Sequence, residues 1–421
     1  MSVILKNAHY IDWKTLSFTR AHLFIEKGKN GKIHFLDDPE KFPLDADILD
    51  VQGKLVTKAF AVGHHHAYSA LSRGMPAPRK APRNFYEILK YIWWSLDKAL
   101  DKDMVEASAL ATAMACAKAG ATFVIDHHAS PNFIAGSLNV LSEAFEKVGI
   151  SHLLCYEISD RDGLDKAQQG LDETASYLEH HQGLVGLHAA FTVGNDTLKQ
   201  AVELAGKYHA GIHIHVAEDL FDEKDSLKKY HQRVVQRLYS AGALAFKKTI
   251  LAHCLHVDNT EREIIKNSRV WVVQNTESNL NNSVGFFRSR GLGEHIMLGT
   301  DGMHSDMIRS AQAAYFGGQP FDDIDFSEAY RRFRNVHKYL NDNEFIGDGE
   351  NNLVVLDYDS PTEINADNFL GHFLFGLRAG HVEHVISDGE LIVKDRKLKK
   401  INEEDVLAFT REQGRRLWEK L

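Results

Sequence analysis

The chain has 421 residues, 44% hydrophobic and 25% charged, which is the profile of a globular protein and excludes a disordered or fibrous one. Lys and Arg total 49 against 58 Asp and Glu, a net charge of −9 that repels phosphate backbones and argues against a nucleic-acid partner. The length exceeds one small module and suggests two domains, or one large barrel with an appendage.

The N-terminal flank, residues 1–54, holds short alternating runs at Val3–Leu5, His22–Ile25 and Lys32–Leu36, with a turn at Gly28-Lys29-Asn30-Gly31. Lys6, His9, Asp12 and Lys14 interrupt any apolar leader, so no signal peptide is expected. No apolar run approaches the ~18 residues of a membrane span.

From residue 55 the pattern changes. Eight apolar, β-branched-rich runs alternate with helical segments such as Phe85–Lys118, Leu138–Val148 and Lys224–Ala241. The runs are Leu55–Val62, Ala121–Ile125, Ser151–Tyr156, Leu184–Leu187, Gly211–Ile214, Thr249–Ala252, Val270–Val273 and Ile296–Thr300. They end at His64, Asp126, Glu157, His188, His215, His253, Gln274 and Asp301. Continuous apolar runs suit strands buried on both faces. A doubly wound open sheet shares the alternation, but it gathers its site at one switch point and does not draw on every strand. Polar residues at every strand tip favour an α/β fold of the (β/α)8 barrel type.

Residues 349–400 return to short strand-like runs, Asn352–Leu356, His384–Ile386 and Glu390–Val393, with Asp388-Gly389 as a hairpin turn. Neither flank can build a good core alone. The expected organisation is a small β-sandwich from residues 1–54 and 349–421, with a terminal helix at Glu403–Leu421, around a barrel at 55–348.

Histidine is the unusual component: there are 24, and it is the commonest metal ligand. In Gly63-His64-His65-His66, residues 64 and 66 share one side of an extended segment and can grip one ion. In His213-Ile214-His215-Val216-Ala217-Glu218, His215 lies at the strand tip and Glu218 three residues on, where a carboxylate can shuttle protons. His213 has the parity of His215 and competes for the ligand role. His253 and Asp301 end the sixth and eighth strands. Any one of these alone reads as a satisfied core polar group; together they converge on one end of a barrel. Glu87 sits in an aromatic segment (Phe85, Tyr86, Tyr91, Trp93, Trp94) that suits either packing or a wall for a flat ring. Cys116, Cys155 and Cys254 make no disulfide framework and no CxxC knuckle, which fits a reducing cytoplasm.

These motifs, with Gly186-Leu187-His188, Glu277-Ser278-Asn279-Leu280-Asn281-Asn282 and Leu298-Gly299-Thr300-Asp301-Gly302, resemble the amidohydrolase superfamily. Within it the chain is similar to the cytosine deaminase, guanine deaminase and atrazine chlorohydrolase branch. Segments 124–131 and 155–163 look closest to the SsnA group of aminohydrolases. Two turns depart from the pattern, with Lys58-Ala59 and Thr276-Glu277 where the branch has Pro-Gly and Asn-Pro. The resemblance implies one divalent ion, Zn²⁺ first and Fe²⁺ second, on His64, His66, His215 and Asp301. His188 stands where two-metal members carry a bridging lysine. It implies catalysis by Glu218, His253 and Asp301, with metal-bound hydroxide attacking an amino-bearing purine-, pterin- or pyrimidine-like ring. Substrate contacts are expected from His188, Glu157, Glu87, Ser278 and Asn279. A homodimer is also implied. A hydrolase displacing chloride or an alkylamine, and a non-catalytic barrel scaffold, are the alternatives, and the roles of His127, His128 and His213 stay open.

Overall fold

The computed structural model describes residues 2–37 and 46–421; positions 38–45 of the N-terminal flank lie outside the described residues. Among the described residues no helix is long and apolar enough to cross a membrane.

The first strands are β1 (Val3–Ile11), β2 (Phe18–Ile25), β3 (Ile33–Leu36), β4 (Asp47–Asp50) and β5 (Leu55–Lys58). β4, whose Asp-Ile-Leu-Asp sequence carries only two apolar residues, is not apparent from the sequence pattern. The chain then enters β6 (Phe60–His65), β7 (Ala121–His128), β8 (Ser151–Tyr156), β9 (Val185–Ala189), β10 (Ile212–Val216), β11 (Ile250–His253), β12 (Trp271–Gln274) and β13 (Ile296–Leu298). The expected strand Leu55–Val62 is therefore two. β5 pairs with β1, and only β6 joins the next array of strands.

Strands β6–β8 and β9–β13 form two parallel sheets. Parallel bridges Leu154↔Gly183 and Ile158↔Leu187 join β8 to β9, and His65↔Asp301 joins β6 to the end of β13. Eight parallel strands thus close into a ring, a (β/α)8 barrel. Glycine permits both seams: a Cβ on Gly186 would collide with the Tyr156 carbonyl, and one on Gly63 with the Leu298 carbonyl. β7, β10, β11 and β12 are buried along their length, as parallel strands under helices are. Phe123, Leu153, Trp271 and Met297 fill the interior, and Tyr339 of the helix Phe326–Asp342 packs onto that cluster.

The chain ends with β14 (Leu353–Leu356), β15 (Val382–Ser387), β16 (Glu390–Lys394) and β17 (Lys397–Leu398). β14 pairs antiparallel with β5, so the N- and C-terminal strands share one nine-stranded sheet. β1 pairs with β4 through Val3–Lys6 and with β5 through His9–Ile11, on either side of a bulge. Val3, Leu23, Val56, Leu353 and Ile386, from both ends of the chain, make one apolar cluster. The last helix, Glu403–Lys420, leaves this sheet and lies against the helix Lys102–Lys118. Trp418 Nε1 donates to the Leu71 carbonyl at 2.9 Å, and Lys118 pairs with Glu403 at 2.6 Å.

Candidate active site

His64 and His66 stand at the end of β6, His215 at the tip of β10, and Asp301 just past β13. His66 Nε2 lies 3.0 Å and His64 Nε2 3.4 Å from Asp301 Oδ1, and the Nε2 atoms of His66 and His215 are 3.1 Å apart. Both of these rings are oriented from behind. His66 Nδ1 donates to the His127 carbonyl and His215 Nδ1 to the His188 carbonyl, each at 2.7 Å. With Nδ1 carrying the proton, each Nε2 presents a lone pair, and two facing lone pairs need a cation between them. His64 Nε2 is likewise buried with no hydrogen-bond partner.

Bonds of ~2.1 Å put tetrahedral ligands ~3.4 Å apart, and the edges His66–Asp301, His66–His215 and His64–Asp301, at 3.0, 3.1 and 3.4 Å, are close to that spacing. His253 also falls within 4.8 Å of His64, His215 and Asp301, but its Nε2 is 4.0 Å from Asp301 Oδ2, long for a shared ion. Histidine nitrogens with one carboxylate suit zinc or iron. Burial pushes His64 down to about 3 and His215 well below the usual histidine range. Burial also opposes charging His66, yet hydrogen bonding and charge from Asp301 carry it up to about 9, a proton that a divalent ion would replace.

His213 does not join the donor set; its Nε2 is hydrogen-bonded to His64 Nδ1 at 2.9 Å and supports that ring from below. His127 sits between two oxygens, Glu157 Oε2 and the His213 carbonyl, each 3.1 Å from one of its ring nitrogens, and it also offers a nitrogen within 4.8 Å of donor atoms of His66 and His215. His128 is turned to Ser130, 2.8 Å away.

Glu218 follows a tight turn at Ala217 (φ 46°), whose N–H donates to Asp222 at 2.9 Å. Its Oε2 is 3.5 Å from His253 Nε2. Burial first, and then the charge of Asp301, raise the Glu218 carboxyl well above its usual value and so favour its protonated form. His253 Nδ1 donates to Asn279 Oδ1 at 2.7 Å, so its buried Nε2, with no hydrogen-bond partner, points a lone pair toward Glu218 and Asp301. His253 and Asp301 hold φ of 74° and 51°, backbone strain of about 1–3 kcal/mol each. Ser278 Oγ donates to Asp301 Oδ2.

A pocket opens directly above these groups. Glu157, Arg161, His188, Ser278, Asn281 and Asn282 supply its polar lining, and Tyr68, Phe85, Leu89, Trp93, Trp94 and Met303 its apolar walls. Burial would raise Glu157, but His188, His127 and Arg161 outweigh it and hold the carboxylate well below its usual range. Arg161 lies 5.3 Å from the Trp94 ring and is paired with Asp97.

Two of the expected substrate contacts, Glu87 and Asn279, are engaged by other side chains. Glu87 does not line the pocket, because Arg83 one turn earlier takes its carboxylate at 2.7 Å and in a second bond through the backbone N–H. Asn279 is spent on His253 and lies behind the wall. Sequence reasoning did not assign Tyr68, Arg161 and Met303; only Arg161 gave a signal, as a cation four residues past Glu157.

The amidohydrolase family model matches residues 59–340. A 5′-deoxyadenosine deaminase of Methanococcus aeolicus is 27% identical over 409 residues, spanning 91% of this chain and 92% of that protein. A 5-methylthioadenosine/S-adenosylhomocysteine deaminase of Syntrophomonas wolfei is 24% identical, covering 88% of each. The fold matches an adenosine deaminase from Xanthomonas campestris solved with zinc (TM-score 0.84, 17% identity, 99% of this chain and 98% of that one). It also matches an atrazine chlorohydrolase mutant from Arthrobacter aurescens with zinc and atraton (TM-score 0.83, 15% identity, 98% and 100%).

Proposed function

The chain belongs to the amidohydrolase family, and on that premise we propose that it is a metal-dependent aminohydrolase that releases ammonia from an amino-bearing purine-, pterin- or pyrimidine-like ring. The observation that carries this reading is the meeting of the Nε2 atoms of His66 and His215 with Asp301, beside Glu218, whose Oε2 lies 3.5 Å from His253 Nε2. The deaminases among its relatives support the purine-like ring first.

In this reading His64, His66, His215 and Asp301 hold one divalent ion, zinc before iron. When bound, such an ion supplies the Lewis acidity that brings the pKa of a water toward ~7. His253, neutral because burial lowers it, takes a proton at Nε2 with its ring fixed by Asn279. Ser278 holds Asp301 in register by its hydrogen bond. Glu218 gives its proton to the ring nitrogen as the carbon is attacked, and later carries one to the leaving amine. Glu157, His188 and Trp94 line the space where a flat ring would lie.

A homodimer and a cytoplasmic setting belong to the same reading. Exposed Phe286, Phe316, Phe321 and Phe375 support the first, and three buried free cysteines the second. The test is an ammonia-release screen over amino-heterocycles with metal-loaded protein. Turnover of at least one ring is expected; a metal-loaded protein inert on all of them would refute the reading.

A further inference from the structure

Each of the three proposed histidine ligands is held by a hydrogen bond behind its ring. His66 and His215 lean on backbone carbonyls, which only accept, so Nδ1 carries the proton and Nε2 the lone pair. His64 differs. The atom behind its Nδ1, 2.9 Å away, is His213 Nε2, and an imidazole nitrogen can accept or donate. The two nitrogens of His213 face His64 and Cys155, neither of them a carboxylate, so the ring is neutral with a single N–H. With that N–H at Nε2, His213 donates to His64, whose own proton then sits at Nε2, 3.4 Å from Asp301 Oδ1, and blocks a bond to metal. With it at Nδ1, His64 is the donor and its Nε2 lone pair is free.

What lies beyond His213 Nδ1 decides between the two. It is the sulfur of Cys155 on β8, 3.7 Å away. The Cys155 S–H reaches the Asp126 carbonyl at 3.5 Å, which leaves the sulfur to accept from His213. Both residues are fully buried, so water does not compete for these bonds. β9 runs between β8 and β10, and the contact crosses it at Gly186, which is paired in register with His213. A Cβ on Gly186 would stand 3.0 Å from the sulfur. Every donor is then matched along one line: His64 N–H to His213, His213 N–H to sulfur, S–H to carbonyl. We propose that Cys155 is a positioning residue for metal binding: acting through His213, it sets the tautomer of His64 and keeps the Nε2 lone pair available to a divalent ion. This rests on the reading of His64 as a ligand.

The experiment is a double-mutant cycle on the zinc affinity of the full chain, read by competition with a chromophoric chelator. Cys155→Val puts methyl groups in place of the sulfur. Cys155→Ala removes it without adding bulk and guards against a valine variant that fails to fold. Both should weaken zinc binding by about 10–100-fold, the usual effect of losing an outer partner of a metal-bound histidine. His213→Gln supplies an amide oxygen that can only accept from His64, so the sulfur has no tautomer left to set. In that background, adding Cys155→Val should change zinc affinity by less than about twofold, the scatter of uncoupled sites. Native affinity in both single variants overturns the proposal. An equal loss in the two backgrounds, which a packing role would give, overturns it too. A wild-type chain that takes up no zinc overturns the ligand reading along with it.

Discussion

Two imidazole lone pairs 3.1 Å apart, each fixed by a carbonyl behind it, repel one another unless a cation lies between them. His215→Ala is therefore expected to lose most of the bound metal, measured by elemental analysis; unchanged content would remove His215 from the donor set. Glu218→Gln keeps the shape and removes the proton, so it should retain the metal while turnover falls by ~10²–10⁴. Loss of metal in that variant would contradict the assignment. The positions of His215 and Glu218 follow from the sequence because each lies at or just past a strand tip, where chain position fixes location. Chain position does not report which way a side chain turns: Arg83 pairs with Glu87 and His253 with Asn279. The departures at Lys58 and Glu277 have plain local reasons. Lys58 pairs with Asp348 at 2.9 Å, and Glu277 with Arg309 at 2.7 Å.

At the level of elements, the alternation of runs and helices located all eight barrel strands, because parallel strands buried on both faces are written as unbroken apolar stretches. The split of Leu55–Val62 was not legible, since β5 and β6 are equally buried and differ only in the partners they pair with. Asp348 ties these elements together. It meets Lys58 of β5 and, at 2.8 Å, His337 of the helix Phe326–Asp342. Burial would raise Asp348, but His337 and Lys58 pull it down to about 2, while burial lowers Lys58, so the lysine side of the pair carries a cost. Asp348→Asn leaves that lysine buried without its counter-charge and should cost about 3–5 kcal/mol in denaturant unfolding. A depressed carboxylate pKa contributes stability above the unfolded value near 3.8 and loses it as the pH falls toward 2. The variant's stability should accordingly lose less than the wild type's between pH 4 and pH 2; equal loss would free Asp348 from this role.

Across the whole molecule, both ends of the chain meet in one sheet through the β5–β14 pairing, and the last helix packs on the barrel. We expect a chain ending at residue 348 to aggregate, because it keeps every proposed ligand yet loses the strand that pairs with β5. A soluble, metal-loaded and active product would show that the terminal strands are dispensable. The barrel was legible in the sequence through its periodicity. The pocket walls were not, since Tyr68 comes from the short 3-10 helix Ala67–Ser72 after β6 and Met303 from a loop after β13, neither of which a local pattern encodes. The central claim is that one metal ion on the strand tips, with Glu218, deaminates a heterocycle. The most direct test is ammonia release from 5′-deoxyadenosine and the other rings by one protein sample, assayed after chelation and again after titration with zinc. Release should be absent after chelation and should return in proportion to zinc, saturating at one ion per chain. Undiminished release from the chelated protein, or a plateau reached only at two ions per chain, would contradict the account.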